Sequence, residues 1–412
     1  MSTDEQGPGP SRRRVLLGGA AAAGAGAVAL TGTDALVRSL RSASGEAAEA
    51  DPVHGGRTHP FHGAHQAGIA TPPQANARFI GVDLREEVDA DGVRRLLSLL
   101  SDDAARLTQG RAALADTEPE LALAPAGLTV TLGFGPGLVE RVDPDAVPAW
   151  LGPLPAFDTD RLEDRWSHGD LLLQVCCDDT LTLSHAARML LKDVRAFGSV
   201  RWSQEGFRRS HGTEPAGTTM RNLMGQVDGT VNPEANDPDF DPLVWCGAEG
   251  PGWLRGGTAV VLRRISMDLD GWDRLDRPGR EDSVGRRLDN GAPLTGAEEH
   301  DEPDLDAVTP LGFPVIAEYA HIRRARSEDP DERIFRRAYN YESVGGGAHG
   351  DDAGLLFVCY QRDPDRQFVP IQRRLDQLDL LNEWITHIGS AVFAVPPGCA
   401  EGGFVGETLF DR

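Results

Sequence analysis

A histidine and an arginine with apolar neighbours lie close together in the C-terminal half of the sequence. His321 follows the apolar run of residues 314–320, which predicts a strand, and Arg336 follows the apolar residues 334–335. A neutral imidazole is a good ligand for iron, and an arginine keeps its charge even when it is buried. The two side chains could therefore lie on opposite faces of a flat cofactor. A single histidine at a strand end is nevertheless more often a hydrogen-bonded core or surface residue.

An acidic residue bracketed by glycines lies upstream of this pair. Asp228 stands in a Gly-x-x-Asp-Gly pattern that begins at Gly225 and ends at Gly229. Asp-Gly is a strong turn dipeptide, so a turn is the simplest interpretation. Glycine also lets the main chain approach a ligand closely, and a carboxylate beside a guanidinium could carry out acid–base chemistry.

These motifs, in this order, resemble those of the dye-decolourising (DyP-type) haem peroxidases. The Gly-x-x-Asp-Gly pattern is followed by the His-Ile-Arg of residues 321–323 and by the Phe-Arg-Arg-Ala-Tyr of residues 335–339. The likeness extends from residues 61–69 to residues 393–397 and so covers most of the chain. It is closest to the exported group that also contains the proposed deferrochelatases.

The resemblance implies one non-covalently bound haem b per chain, with His321 as the axial ligand of the haem iron. It places Asp228 and Arg336 on the other face, where hydrogen peroxide is reduced through an oxoferryl intermediate that oxidises dyes, phenolics or other one-electron donors. Asp228 would shuttle the proton, and Arg336 would stabilise the charge that develops on the peroxide. An aspartate in place of the histidine of plant-type peroxidases also implies an acidic optimum for dye oxidation.

The resemblance also assigns residues around the edge of the haem. Matching position by position places haem contacts at Gly229, Thr230, Val231, Arg326, Ser327 and Glu328. Arg323 and Arg326 are the basic candidates beside the propionates. Related chains often carry Asn-Pro where this chain has Arg326-Ser327, so the main chain after the axial histidine departs from the family pattern. An acceptor for the second ring nitrogen of His321 is expected on the last predicted helix. Asp376 and Asp379 both qualify, and Asp379 matches an acidic position of the related chains better.

Two other functions are compatible with the same pocket. One is that of a deferrochelatase-like protein, which releases iron from haem and keeps the porphyrin intact. The other is that of a non-catalytic haem carrier, which has no need for both Asp228 and Arg336. Their presence favours chemistry over carriage, whereas the sequence does not separate a peroxidase from a deferrochelatase.

The net charge argues against two classes of partner, and the cysteine content argues against disulfides and covalent haem attachment. The formal net charge is −23 over 412 residues, which argues against nucleic acids and anionic membrane surfaces as partners. The five cysteines form no CxxC pair and no metal-ligand spacing. Neither a disulfide framework nor covalent haem attachment through CxxCH is therefore expected.

Residues 1–50 are interpreted as a twin-arginine signal segment. Arginines at positions 12–14 precede an apolar run that is too short and too glycine-rich for a spanning helix. We expect export by the twin-arginine machinery, a secreted or cell-envelope location, and no stable membrane span in the mature chain. Residues 51–75 predict an extended arm, and its His62 and His65 are more simply explained by packing at the pocket mouth than by metal binding.

The hydrophobic periodicity predicts an α+β protein with a first domain over residues 76–222. Its strands are predicted at residues 78–84, 128–134, 170–177 and 199–203, and its helices at residues 91–107 and 184–197. Ser184 is the expected N-cap of the second helix. The order βαββαβ is that of a ferredoxin-like unit.

The second domain, over residues 223–412, is predicted to repeat this order of strands and helices beside the haem, with longer insertions. Its strands are predicted at residues 258–267, near Val315 and Phe335, and at residues 355–360 and 391–395. An acidic insertion fills residues 278–308, and a closing helix is predicted over residues 367–388. The resemblance implies two ferredoxin-like units with antiparallel sheets packed together. Bulky donors are expected to react at the surface through an aromatic relay, with Tyr360 as first candidate because its strand would end at a polar edge.

Overall fold

The computed structural model describes residues 53–344 and 351–411. Its strands are β1 (Asn76–Leu84), β2 (Thr129–Phe134), β3 (Leu171–Cys177), β4 (Gly198–Phe207), β5 (Thr258–Met267), β6 (Phe335–Arg336), β7 (Tyr339–Val344), β8 (Asp351–Gln361) and β9 (Ile385–Val395). Its α-helices are α1 (Ala90–Leu107), α2 (Pro136–Val142), α3 (Thr180–Val194), α4 (Phe240–Val244), α5 (Leu269–Asp273), α6 (Arg277–Val284), α7 (His321–Ala325) and α8 (Phe368–Leu378). The predicted signal segment lies outside the described residues.

The longer strands form two sets of four, one from each half of the chain. The N-terminal set has the order β4-β1-β3-β2 and the C-terminal set has the order β9-β5-β8-β7, with antiparallel pairing throughout. In both sets the first strand lies between the fourth and the third, which is the ferredoxin-like order. The predicted α+β class with two ferredoxin-like units is therefore confirmed. The domain limit after residue 222 lies in the connection between β4 and β5 and stays a prediction.

Narrow seams join the two halves into a closed ring of strands. At one seam Phe134 of β2 pairs with Ala394 of β9, and at the other Phe207 of β4 pairs with Asn340 of β7. A buried cluster draws on both halves, with members Ala77, Phe79, Leu172, Trp202, Val260, Leu262, Tyr339, Leu356, Val358, Tyr360 and Phe393. Burial of this shared apolar surface stabilises the ring.

The two long helices of the N-terminal half begin at aspartate caps. Asp89 accepts a hydrogen bond from the amide of Gly92, and Asp179 accepts one from Thr182. Helix α3 therefore starts at Thr180, and the predicted cap at Ser184 is wrong. The apolar spacing marked only the inward-facing residues, whereas the cap lies in the polar turn before them.

The last helix is shorter than predicted. Helix α8 ends at Leu378, because Asp379 is extended and its side chain caps the 3₁₀ turn Leu380–Glu383. Residues from Ile385 onward belong to β9, and Trp384 lies between the turn and the strand. Leu381, Trp384 and Ile385 all pack against one apolar cluster. The apolar spacing therefore continues through the helix, the turn and the strand, and it does not indicate where the helix ends.

The run of residues 314–320 is not a strand. The main chain there forms turns beside an isolated bridge between Val308 and Pro314. Part of this run faces solvent, since Tyr319 is 37 % exposed. His321 is instead the first residue of helix α7.

The arm before β1 packs across one seam of the ring. Gln66 exchanges hydrogen bonds with the main chain of Leu132 in β2 and also donates to the carbonyl of Pro396 after β9. The His65 ring stacks on Trp245 with ring centroids 3.8 Å apart. Among the described residues no three His, Cys, Asp or Glu side chains are grouped to hold a metal ion.

Two further features of the described residues concern the cysteines and the helices. All five cysteines are buried and unpaired. No helix in the described part of the chain has the length and apolar character that crossing a membrane requires.

Candidate functional site

A cavity of about 510 Å³ adjoins the sheet of the C-terminal half. This volume is within the usual range for cofactor and small-molecule sites. Its apolar walls come from the sheet, from α8 and from the turn that follows it: Ile265, Met267, Leu355, Phe357, Ile371, Leu375, Leu381 and Ile385. Ten of the predicted site residues line it, namely Asp228, Gly229, Thr230, Val231, His321, Arg326, Ser327, Glu328, Arg336 and Asp379.

His321 and Asp379 form a hydrogen-bonded pair on the cavity wall. Nδ1 of His321 lies 2.6 Å from Oδ2 of Asp379. The other carboxylate oxygen of Asp379 accepts the amide of Leu381, so the turn after α8 fixes the carboxylate. Burial alone lowers the pKa of His321, but the charge and hydrogen bond of Asp379 outweigh burial and raise that pKa. Asp376, the alternative partner, instead accepts hydrogen bonds from Asp158 and Thr159.

Asp228 and Arg336 form an ion pair on the same cavity. Nη1 of Arg336 lies 2.7 Å from Oδ1 of Asp228, and Nδ2 of Asn222 donates to the other carboxylate oxygen at 3.3 Å. Gly225 and Gly229 have φ values of +80° and +136°, a region that other residues rarely adopt. The two glycines thus allow the loop to turn and present Asp228 beside Arg336.

The arginine next to Arg336 has a different environment. Arg337 is completely buried, and its guanidinium donates to the Thr71 carbonyl and to the Gln74 side chain in the arm. Adjacent residues of a strand point to opposite faces. Arg336 therefore reaches the cavity, whereas Arg337 fastens the arm to the ring of strands.

Two arginines lie at the cavity wall beside Thr230 and Val231. Arg326 makes a two-point ion pair with Glu302. Arg286 is only 5 % exposed and donates from Nη1 to the carbonyls of Gly291 and Glu299. Burial first, and the charges of Arg326 and Arg336 next, lower the pKa of Arg286 against the opposing effect of Glu299. Because Glu302 already pairs with Arg326, Arg286 is the guanidinium of this corner that an added anionic group would stabilise most.

Arg323 does not line the cavity. Its guanidinium donates to the carbonyls of Leu305 and Ile316, on the side of α7 away from the open space. The predicted contact between Arg323 and a propionate therefore has no support from its placement. Arg323 instead holds the segment before α7.

Among the lining residues that the sequence does not predict are Arg286 and His387. Arg286 lies in the polar insertion, where nothing in its neighbours distinguished it from solvated arginines. His387 was assigned to the closing helix but lies in β9, where the register against β5 shifts between Arg264 and Ile265. Such bulges re-aim side chains. Burial, with Arg263 nearby, lowers the pKa of His387 to about 3, so this histidine is neutral.

Comparisons with known proteins point to one family across the whole described fold. The family described as "Dyp-type peroxidase, N-terminal" matches residues 66–208, and "Dyp-type peroxidase, C-terminal" matches residues 219–400. The chain is 38% identical to a dye-decolorizing peroxidase of Thermobifida fusca, with 99% of both chains covered. It is 36% identical to a deferrochelatase of Escherichia coli, with 98% of both covered. The crystal structure of a DyP-type peroxidase from Cellulomonas bogoriensis superposes with a TM-score of 0.85 at 54% identity and covers 88% of this chain and 100% of that one.

Proposed function

The chain belongs to the Dyp-type peroxidase family and is a haem peroxidase, and we propose that the cavity lined by His321, Asp228 and Arg336 is its haem pocket. The observation that carries this proposal is the presence of two preorganised pairs on one cavity. One is a histidine held by a carboxylate, and the other is a carboxylate held by a guanidinium. The first suits an iron ligand, and the second suits proton transfer to and from peroxide.

The residues present fit a haem. Asp379 occupies Nδ1 of His321, so Nε2 is the ring nitrogen left to bind iron, and it has no protein partner among the described residues. The broad walls of the cavity are apolar, as the faces of a porphyrin require. Arg286 and Arg326 supply positive charge at one corner, as its carboxylates require. When bound, haem supplies the iron that takes up and reduces hydrogen peroxide.

Asp228 and Arg336 divide the work on the peroxide between them. The Asp228 carboxylate can accept a proton from one peroxide oxygen and return it to the other. The Arg336 guanidinium, 2.7 Å from Asp228, holds that carboxylate in place and brings positive charge to the atoms where negative charge develops. Asn222 leaves the carboxylate little freedom to rotate, because it bonds the second oxygen.

The test compares Asp228→Asn and Arg336→Leu with the parent protein after titration of haem-free protein with hemin. Both variants should bind one haem per chain. The reaction with peroxide should slow by roughly 10² without the guanidinium and by roughly 10²–10⁴ without the carboxylate. Arg188→Leu is the matched control, because Arg188 pairs with Glu118 on the surface of the N-terminal half. Unchanged peroxide rates in Arg336→Leu would overturn the assignment.

The same preparation tests iron release, the activity that the name of the Escherichia coli relative indicates. In that reaction two protons replace the iron, and the product is a fluorescent metal-free porphyrin. Growth of that fluorescence in a haem-loaded sample, with no consumption of peroxide, would favour deferrochelatase activity over peroxidase activity. Peroxide consumption with unchanged porphyrin supports the peroxidase.

We propose further that the protein is exported by the twin-arginine machinery. The support is the arginine cluster at residues 12–14 and the alanine- and glycine-rich run that follows it. Replacement of all three arginines by lysine should leave haem-loaded protein in the cytoplasm, whereas the parent should appear in the cell envelope or medium. Equal export of both forms would contradict the proposal.

A further inference from the structure

Arg336 lies in a two-residue strand whose outer edge has no neighbouring strand in the described part of the chain. Strand β6 pairs with β8 through Phe335 with Tyr360 and Arg336 with Cys359. The following amide, that of Arg337, donates to the Val358 carbonyl at 2.8 Å. Successive amides of a strand point to opposite sides. The N–H and C=O groups of Arg336 therefore point away from β8.

The side chain of Asn232 occupies the place that a neighbouring strand would take. The amide of Arg336 donates to Oδ1 of Asn232 at 2.6 Å, and Nδ2 of Asn232 donates to the Arg336 carbonyl at 3.0 Å. A carboxamide offers one acceptor and a donor, like a peptide unit. It thereby satisfies both main-chain groups of a strand edge.

Asn232 is itself fixed to the loop that carries Asp228. The main-chain amide of Asn232 donates to the Gly229 carbonyl at 2.9 Å, and this bond closes a turn directly after Asp228. The next residue is the buried Pro233, and a residue before proline is restricted to extended conformations. The turn and the proline together fix the main chain of Asn232. Its side chain therefore cannot follow Arg336 if β6 moves.

We propose that Asn232 is a positioning residue for the peroxide chemistry, because its carboxamide fixes the strand of Arg336 relative to the loop of Asp228. The proposal rests on the roles given above to Asp228 and Arg336. A two-residue strand has little stability of its own, and a displacement of about 1 Å in a catalytic group can cost roughly 10² in rate. The carboxylate and guanidinium are 108 positions apart in the chain, and Asn232 links their main chains beside the site.

The kinetic test uses Asn232→Ala, which removes both hydrogen bonds, and Asn232→Asp, which keeps the shape and the acceptor but loses the donor. Both should bind haem as the parent does and react with peroxide about 10–100 times more slowly. Asn76→Ala is the matched control. Asn76 also donates to main-chain carbonyls, those of Cys177 and Asp178, but at the start of β1 in the N-terminal half.

A second measurement needs neither haem nor turnover. In haem-free protein the Arg336 amide should exchange with deuterium at least about tenfold faster in Asn232→Ala than in the parent, because its acceptor is gone. The Arg337 amide keeps its acceptor in β8 and should exchange at the parental rate. A general loss of stability would accelerate both amides alike.

The outcomes separate the two proposals. If Arg336→Leu reacts with peroxide at the parental rate, the assignment of the site fails whatever Asn232 does. If Arg336→Leu is slow while Asn232→Ala and Asn232→Asp react as the parent, the positioning role is overturned and the site assignment stands. If Asn232→Ala does not fold, the peroxide rate of Asn232→Asp decides the question: a parental rate overturns the positioning role, and a slower rate with normal haem binding supports it.

Discussion

Each half of the protein contains a histidine hydrogen-bonded to an aspartate, and the two pairs differ in what surrounds them. In the N-terminal half His185 lies 2.8 Å from Asp116, with side chains 1% and 0% exposed. In the C-terminal half His321 lies 2.6 Å from Asp379, but its side chain is 31% exposed where it borders the cavity. The second ring nitrogen of His185 lies 3.4 Å from Arg188, whereas that of His321 has no protein partner in the described residues.

The helices before the last strand of each half explain this difference. Helix α3 buries eight residues: Thr182, Leu183, His185, Ala186, Ala187, Met189, Leu190 and Val194. Helix α8 buries only Phe368, Val369 and Gln372, and its other inward residues, Ile371 and Leu375, line the cavity. The same topology thus gives a packed core in one half and a cofactor-sized space in the other.

Replacing each histidine with alanine, one at a time, is expected to give the largest difference between the two pairs. One replacement should affect haem binding and the other should affect stability. His321→Ala should lose haem retention, because it removes the proposed iron ligand. It should lower the free energy of unfolding of the haem-free protein by less than His185→Ala does, because Asp379 lines the cavity and water there can replace the lost partner. His185→Ala should keep haem and lower the free energy of unfolding by about 1–3 kcal/mol, because Asp116 loses a buried partner. Haem content after gel filtration and urea unfolding measure the two effects. Parental haem content in His321→Ala would remove the distinction between the pairs.

Enlarging one residue in each helix tests the packing difference directly. Ala187→Leu in α3 should cost about 1–3 kcal/mol, because that core has no space for added atoms. Leu375→Phe in α8 should be nearly neutral in the haem-free protein and should weaken haem binding, since the added ring enters the cavity. Thermal unfolding and hemin titration of both variants provide the comparison. Equal destabilisation by the two changes would mean that the C-terminal half is as tightly packed.

Two aspartates, one in each half, should contribute acid dependences of stability with opposite sign. Burial first, and Asp103 next, raise the pKa of Asp193 to about 7. The folded state therefore holds this proton where an unfolded chain has lost it, and stability falls as pH rises from about 4 to about 7. Asp193→Asn should then raise the free energy of unfolding on the order of 1–2 kcal/mol at pH 8 and change it little at pH 4.

Asp376 of the C-terminal half is the matched comparison. Burial raises its pKa, but the hydrogen bonds from Asp158 and Thr159 outweigh burial and lower it. A lowered pKa contributes stability at neutral pH that is lost as pH falls below about 4. Asp376→Asn should therefore destabilise the protein at pH 7 and by less in acid. The same pH dependence in both variants would contradict these environments.

The smallest effect is expected at Tyr360, which joins the halves. Tyr360 was expected at a polar strand edge, but it is 1% exposed and its hydroxyl donates to Gln174 of the N-terminal half. Tyr360→Phe should cost about 1 kcal/mol. Because the ring does not reach the surface, bulky-dye turnover relative to the peroxide reaction should stay unchanged. A selective fall in dye turnover would restore Tyr360 as an electron relay.

Much of the architecture follows from the sequence because its signals are local. The largely apolar run of β5 predicted its limits, Thr258 and Met267, and the spacing in α1 predicted its end at Leu107. The Gly-x-x-Asp-Gly motif predicted a turn that presents Asp228. The structure brings Asp228, His321 and Arg336 to one cavity, as the resemblance implied.

Only the tertiary structure decided which other residues meet them. Asp376 and Asp379 are equivalent by sequence spacing, and the end of α8 brings Asp379 to His321. Arg286 and Asn232 are polar residues in loops. Asn232 bonds the main chain of Arg336, 104 positions away, and Arg286 bonds carbonyls that the folding of the insertion brings to it. Periodicity reports which face of an element is apolar. The volume of a cavity depends on the distance between elements. Here that is the distance between α8 and the sheet, and it follows from contacts between residues that are distant in sequence.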